Sequence, residues 1–137
     1  MNSICIIPAR GGSKRIKNKN IIKFNKQPMI YWSVKAAKKS KCFDRIVIST
    51  DCEKIIKVAK QLKVDFIKRP SKLALDSTPL LAVIRHYIKN MEEKYSTICC
   101  LLPSSPLIFY KDIVNSKKLL KKNTSFVFPI TNYSYPI

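Results

Sequence analysis

Short runs of consecutive apolar residues alternate along this chain with segments in which apolar residues recur at helical spacing. Five runs predict strands, at residues 4–7, 45–50, 64–68, 97–102 and 125–130. Apolar residues spaced three or four apart predict helices between these runs. The first helix should begin at Pro28, where a missing N–H costs nothing, and end near Lys41. Its buried stripe is predicted from three residues: Ile30, Val34 and Ala37.

Three more helices follow from the same periodicity. Asp51 is a candidate cap for the second, and Pro79 should begin the third. Their predicted buried faces are Ile55, Ala59 and Leu62, then Leu80, Ile84, Tyr87 and Met91, then Ile113, Val114 and Leu120. Alternating strands and helices predict an α/β fold, with a mainly parallel sheet and helices on both of its faces. We expect one domain over residues 1–137.

Four polar segments come directly after predicted strands. They are residues 10–20, Asp51, residues 69–78 and residues 103–106. The carboxyl ends of parallel strands meet at one edge of a sheet, and ligands bind in the crevice outside that edge. The sequence therefore predicts a binding site to which all four segments contribute.

The first of these segments holds both glycines of the chain, Gly11 and Gly12. Glycine is needed where the backbone has a positive φ or lies close to a ligand. Cations crowd the same stretch: Arg10, Lys14, Arg15, Lys17 and Lys19. Backbone N–H groups of a glycine turn, with Arg and Lys around them, form a concavity suited to a polyphosphate. The Walker and dinucleotide patterns are absent, so a plain basic turn stays open as the alternative.

Composition adds a strong positive charge to this picture. Lys and Arg number 27 against 8 Asp and Glu, which gives a formal charge of +19. Such a charge raises the possibility of a basic polyanion-binding domain. The lysines are scattered over predicted helix faces without interleaved aromatic residues, so we interpret most of them as a solvated face and expect no specific nucleic-acid partner.

Cysteine content and hydropathy bear on where the protein works. The five cysteines are odd in number and lack C-x-x-C spacing, which argues against a disulfide framework and against a zinc site. We expect them to be reduced residues of the core. No apolar run approaches the ~18 residues of a membrane span. These features predict a soluble, cytoplasmic protein with no membrane partner.

The glycine segment resembles the signature of the acylneuraminate cytidylyltransferases, which make CMP-activated nonulosonic acids. The matching residues are Ile6-Ile7-Pro8-Ala9-Arg10-Gly11-Gly12-Ser13-Lys14-Arg15, then Lys17-Asn18-Lys19-Asn20. Weaker matches follow in the family's order, at residues 47–51, at Arg69-Pro70 with Leu73-Ala74 and Asp76, and at residues 102–107. Residues 125–131, with Tyr133, Tyr135, Pro136 and Ile137, are similar to the pseudaminic acid branch. Leu102 stands where the sialic acid enzymes usually carry Gln.

This resemblance implies a Rossmann-like, three-layer nucleotidyltransferase fold, with CTP and a nonulosonic acid as substrates, Mg²⁺ as cofactor and a homodimeric assembly. Arg10 and Lys19 would be catalytic, neutralising the triphosphate as pyrophosphate leaves. The implied nucleotide-binding residues are Ala9, Arg10, Gly11, Gly12, Ser13, Lys19, Asn20, Arg69, Asp76 and Ser77, and the implied sugar-binding residues are Ser104 and Ser105. Other roles stay open: helix capping by Asp76, Ser77 or Thr78, and plain turn positions for the two serines.

The sequence departs from the family in one respect. Family members continue through a dimerisation segment and an Asp-x-Asp pair that holds the metal, and none of the 8 carboxylates here forms such a pair. If the polypeptide ends at Ile137, we expect a truncated form that binds a nucleotide weakly and catalyses poorly or not at all. A non-catalytic CTP-binding module is the alternative.

Overall fold

A computed structural model describes residues 2–132. Its strands are β1 (Ser3–Pro8), β2 (Lys23–Phe24), β3 (Gln27–Pro28), β4 (Arg45–Thr50), β5 (Asp65–Lys68) and β6 (Thr97–Cys100). Its helices are α1 (Met29–Ser40), α2 (Glu53–Gln61), α3 (Leu80–Lys89) and α4 (Tyr110–Leu119), with a 3₁₀ turn at Ser71–Leu73. The main sheet is parallel, in the order β5-β4-β1-β6, and β2 and β3 form a small antiparallel pair.

Alternation along β1 produces three layers. Cys5 and Ile7 point into a core cluster built with α1, α2 and α4, whereas Ile4 and Ile6 point into a second cluster built with α3. Successive side chains of a strand face opposite sides of the sheet, so a strand that is apolar throughout must be covered on both faces. The predicted α/β architecture, with a parallel sheet between helices, is confirmed.

The ends of α1 lie where the sequence predicts them. Pro28 occupies the N-cap position, with φ −56°, and Met29 is the first helical residue. Lys41 follows the last turn in the left-handed conformation, with φ 53°. The predicted stripe is buried, as are its counterparts Ile55 in α2 and Ile113 in α4. Ala59 of α2 is also buried, whereas four other predicted positions are partly exposed: Leu62, Met91, Val114 and Leu120.

Three predictions about the elements are wrong. Residues 125–130 form no strand: their backbone pairs with no strand within residues 2–132, and the side chains of Phe126, Phe128 and Ile130 stay exposed. Leu80 lies at the exposed start of α3, while Ile84 and Tyr87 of the same predicted face are buried. Cys100 is exposed on the edge strand β6 and is not a core residue. The matches at Tyr133, Tyr135, Pro136 and Ile137 lie outside the described residues.

The helices of the described region are short. None of them is long and apolar enough to cross a membrane.

The central position of β4 makes a direct test of this core. Ile48 is fully buried in the cluster under α1, so Ile48→Ala should leave a cavity and lower the free energy of unfolding by about 2–5 kcal/mol. Ile130→Ala is the matched control, because that side chain is 87% exposed, and it should change stability by less than about 0.5 kcal/mol. Urea denaturation followed by circular dichroism measures both. Equal effects of the two substitutions would contradict the fold described above.

Candidate functional site

Two adjoining hollows open at the carboxyl edge of the sheet. We call residues 9–20, after β1, the glycine loop, and residues 69–79, after β5, the connection. The first hollow, of about 370 Å³, lies between them and is lined by Arg10, Gly12, Lys14, Ala74, Leu75, Asp76 and Ser77. The second, of about 260 Å³, extends to the end of β6 and adds Ser13, Lys19, Asn20, Arg69 and Ser104 to its lining. Arg10, Leu75 and Asp76 line both hollows, so we treat them together as the basic cleft.

Asp76 joins the two sides of the basic cleft. One of its carboxylate oxygens forms an ion pair with Nη2 of Arg10, and the other lies 2.7 Å from Nζ of Lys14. The hydrogen bonds from Lys14 and Arg10 hold the pKa of the Asp76 carboxyl below its usual value. Lys14 is 83% exposed, so its pair with Asp76 is a surface contact of modest strength. Asp76 does not cap α3, whose N-cap is Pro79 without any side-chain hydrogen bond.

The glycine loop is fixed to the end of β4 through Gly11. Its backbone N–H donates a hydrogen bond of 2.9 Å to Oδ1 of Asp51. A Cβ atom built on Gly11 would lie 2.6 Å from Cβ of Cys52, a distance that real Cβ atoms do not reach. Gly11 is therefore required because two chain segments approach each other closely. Nothing lies within 4 Å of a Cβ built on Gly12.

Two predictions about this edge of the sheet are wrong. Asp51 does not cap the following helix, because Cys52 is the N-cap of α2 and no side chain bonds there. Positive φ is one of two reasons for glycine in this loop, and it applies to neither Gly11 nor Gly12. The expected nest of two free glycine N–H groups is not formed either, since the Gly11 N–H is taken by Asp51.

Arg69 is a buried cation at the base of the basic cleft, only 7% exposed. Its Nη2 donates to the carbonyl oxygen of Ser49 at 2.9 Å and its Nε to the hydroxyl oxygen of Ser49 at 3.3 Å. Its Nη1 donates to the carbonyl oxygen of Leu73 at 3.4 Å. Burial lowers the pKa of the Arg69 guanidinium from its usual value. The side chain thus ties the connection to the end of β4.

Asn20, the last residue of the glycine loop, is hydrogen-bonded to the start of the loop. Its Nδ2 donates to the carbonyl oxygen of Arg10 at 2.9 Å, so the side chain supports the residue that carries the main cation of the cleft. The side chain is buried, and its Oδ1 has no hydrogen-bond partner among the described residues. Ala9, at the start of the loop, is fully buried and donates its N–H to the carbonyl oxygen of Ser49 at 2.8 Å.

The structure brings most of the predicted site residues together. Arg10 and Lys19 line the same hollow, together with Ser13, Asn20 and Ser104. Gly12 and Ser77 line the other. Ala9, Gly11 and Ser105 line neither. The carbonyl of Ser105 accepts the N–H of Ile108 at 3.2 Å, as expected of a turn residue.

The sequence interpretation placed Asp51 at this edge of the sheet but missed its role, and it assigned no ligand contact to the apolar residues of the cleft. Asp51 holds the loop, and only the tertiary structure shows that its partner is a backbone amide forty positions away. Several apolar residues also line the cleft: Leu73, Leu75, Leu80, Val83 and Leu102. The exposure of Leu75 and Leu102, large apolar side chains at this edge, is the signal that marks them.

The carboxylates of the described region do not fit a Mg²⁺ site. No group of three or more His, Cys, Asp or Glu side chains is close enough to hold a metal within residues 2–132. Asp76 is the one carboxylate lining the basic cleft in that region, and both of its oxygens contact cations. Asp51 is bonded to the Gly11 amide. We therefore derive no step through a metal held by these residues.

A comparison with solved structures identifies the fold. The structure of CMP:2-keto-3-deoxy-manno-octonic acid synthetase complexed with CTP matches with a TM-score of 0.76 at 18% sequence identity, over 86% of this chain and 46% of that one. At this identity the match establishes the fold alone. The fold is that of the nucleotidyltransferases, as predicted.

Sequence comparison then gives the family. A model of the cytidylyltransferase family matches residues 4–134, and the chain belongs to this family. The pseudaminic acid cytidylyltransferase of Campylobacter jejuni subsp. jejuni serotype O:2 is 40% identical over 144 residues, covering 100% of this chain and 61% of the relative. The N-acylneuraminate cytidylyltransferase of Escherichia coli O18:K1:H7 is 33% identical over 116 residues, covering 85% of this chain and 27% of the relative. The chain thus spans 61% or less of each of these two relatives.

The two glycines give a matched test of the loop geometry. Gly11→Ala places a methyl group against Cys52, and we expect this overpacking to lower the free energy of unfolding by about 1–3 kcal/mol. Gly12→Ala should be close to neutral, because its Cβ meets open space. Thermal and urea denaturation measure both variants.

A second substitution checks the cause. Cys52→Gly removes the atoms with which the new methyl group collides, so Gly11→Ala should cost less stability in that background than in the wild-type chain. An equal cost in both backgrounds would show that contact with Cys52 is not the reason for glycine at position 11.

Proposed function

We propose that the described residues form the nucleotide-binding part of a CMP-nonulosonate cytidylyltransferase, and that the basic cleft binds CTP. The observation that carries the proposal is the convergence of Arg10, Lys14, Lys19 and Arg69 on one cleft at the carboxyl edge of a parallel sheet. Polyphosphates are bound where several cations and backbone amides face one concave surface. The family assignment supports the choice of a cytidine nucleotide.

In this proposal the cations of the glycine loop bind the triphosphate. Arg10 presents a guanidinium that pairs with two phosphate oxygens, and Lys19 supplies a second charge from the same hollow. The sugar's anomeric hydroxyl attacks the α-phosphorus, and the bond to the departing pyrophosphate breaks. Arg10 and Lys19 neutralise the charge that accumulates on this leaving group.

Asn20 and Arg69 have supporting roles. Asn20 holds the Arg10 backbone, and its buried Oδ1 could accept a hydrogen bond from a donor on the ligand if the loop adjusts on binding. An unpaired buried acceptor costs about 1–3 kcal/mol, so a ligand hydroxyl or amino group placed there would be favoured. Arg69 keeps the connection in place and contributes positive charge from below, while Gly12, Ser13, Asp76 and Ser77 line the nucleotide's side of the cleft.

The acceptor of the CMP group is proposed to be a nonulosonic acid of the pseudaminic type. One relative that matches the whole of this chain is named a pseudaminic acid cytidylyltransferase, and it is 40% identical. Ser104, in the segment after β6, lines the second hollow together with Arg10 and Lys19, and in this proposal the sugar binds beside it. Ser105 is assigned to the sugar by resemblance only.

We propose CMP transfer, dependence on Mg²⁺ and homodimeric assembly from the family resemblance. The described carboxylates do not fit a metal, so Mg²⁺ would arrive with the nucleotide, whose phosphate oxygens are ligands it prefers. The family resemblance supports a homodimer. Cytoplasmic location is the expectation for an enzyme that uses CTP.

A second candidate function is binding of polyanions such as single-stranded nucleic acid. The structure corrects the expectation that the lysines lack aromatic neighbours. Nζ of Lys39 lies 4.4 Å from the ring centre of Tyr110, and Nζ of Lys35 lies 5.2 Å from that of Trp32. Basic side chains beside aromatic rings are features of single-strand binding surfaces. This surface is formed by α1 and α4, separate from the basic cleft.

Titration with CTP tests the first proposal. Binding should be saturable, and Arg10→Ala should weaken it at least about tenfold, as expected when a hydrogen bond between charged groups is lost. Arg85→Ala is the matched control, because Arg85 is exposed on α3 and lines neither hollow. Isothermal titration calorimetry at fixed ionic strength measures both variants.

The same titrations separate the two candidates. Tighter binding to single-stranded DNA than to CTP, falling steeply with salt and insensitive to Arg10→Ala, would favour the polyanion surface and contradict the CTP site.

A further inference from the structure

We propose that Asp76 is an internal competitor for the phosphate site: in the free chain its carboxylate occupies the cations that would bind the ligand's phosphates, and binding must displace it. This inference rests on the proposed function, since it assumes that Arg10 binds phosphate. It assigns to Asp76 a role opposed to that of the neighbouring residues. Asp76 would lower the affinity for nucleotide and help pyrophosphate to leave.

The placement of the carboxylate is the first argument. Its two oxygens contact Arg10 and Lys14 separately, one cation to each oxygen. A phosphate group bound to the same two cations would need the same positions, because it too is held by charge-assisted hydrogen bonds to its oxygens. Asp76 also lines both hollows, so a ligand in either hollow would lie beside its carboxylate.

Charge balance gives the second argument. Among the described residues that line the cleft, four are cations, namely Arg10, Lys14, Lys19 and Arg69, and Asp76 is the sole anion. Like charges at close range repel, so an empty cleft of this composition benefits from one carboxylate at its centre. A bound triphosphate would supply that negative charge itself, and the carboxylate would then repel it.

The third argument is that Asp76 cannot move far when displaced. Arg69 holds the connection at the carbonyl oxygen of Leu73, and α3 begins at Leu80. Between these fixed points the N–H of Thr78 donates to the carbonyl oxygen of Leu75 at 3.2 Å. A carboxylate on so short a span stays close to the phosphates, and it can return to Arg10 and Lys14 once pyrophosphate departs.

The role of Asp76 is tested by measuring how one substitution changes the binding of two ligands. Asp76→Asn keeps the shape of the side chain and removes its charge, and it should tighten binding of both inorganic pyrophosphate and CTP by at least about threefold at low salt. Asp112→Asn is the matched control, since Asp112 is an exposed carboxylate on α4 outside both hollows and its loss changes the net charge equally. It should leave both affinities unchanged. Calorimetry on the full 137-residue chain measures them.

A double-mutant cycle with Lys14 checks the mechanism. In a Lys14→Ala background Asp76 has one cation fewer to release, so the gain from Asp76→Asn should be smaller than in the wild-type chain. A gain of the same size in both backgrounds would contradict competition for the paired cations.

The other outcomes would overturn the proposal in distinguishable ways. Weaker CTP binding with unchanged pyrophosphate binding would mean that Asp76 contacts the nucleoside. Weaker binding of both would mean that Asp76 positions Arg10 for the phosphate. Equal gains from Asp76→Asn and Asp112→Asn would reduce the effect to net charge. In each of these cases saturable, Arg10-dependent CTP binding would still stand, whereas its absence from the wild-type chain would refute the proposed function itself.

Discussion

A backbone hydrogen bond holds the candidate site in its geometry. The Gly11 N–H donates to the Asp51 carboxylate, and Cys52 packs directly against the Gly11 Cα. These contacts join the loop after β1 to the segment after β4, whose strands are neighbours in the sheet. Arg10 precedes Gly11, so its side chain leaves the backbone at a point fixed from both strands. A basic loop that would otherwise sample many conformations is thereby held over one concave surface, and the entropy cost of ordering it is met by folding before any ligand binds.

Other contacts stabilise this basic loop beside the neighbouring cations. Folding brings Arg10, Lys14 and Arg69 to one edge of the sheet, and their repulsion must be offset. Asp76 offsets it for the first two residues at the surface, while the carbonyl oxygens of Ser49 and Leu73 accept the donors of Arg69 in the interior. The cations are therefore stabilised differently according to depth. Buried Arg69 donates to backbone oxygens, whereas the more exposed Arg10 and Lys14 pair with the displaceable carboxylate of Asp76.

Local patterns were sufficient for most of the fold. The apolar run of β1 has to be buried on both faces, and Pro28 marks the start of α1 because it fits there and nowhere further along a helix. Residues 125–130 show where such patterns fail. Alternation of Phe126, Phe128 and Ile130 satisfies the local rule for a strand, but a strand forms only when it pairs with another, and no strand within residues 2–132 pairs with this segment. A propensity is local, whereas pairing depends on the rest of the chain.

The candidate site was predictable in position but not in the roles of its residues, and the two arginines show why. Arg10 and Arg69 both follow strands and both lie in motifs that resemble the family, so the sequence treats them alike. In the structure Arg69 is buried and its donors are used by the chain's own oxygens, whereas Arg10 is partly exposed and is held by another side chain. Backbone acceptors cannot withdraw without unfolding the edge of the sheet, but a surface carboxylate can be exchanged for a ligand at small cost. Arg69 is thus suited to a structural role in the site, and Arg10 is suited to binding the ligand.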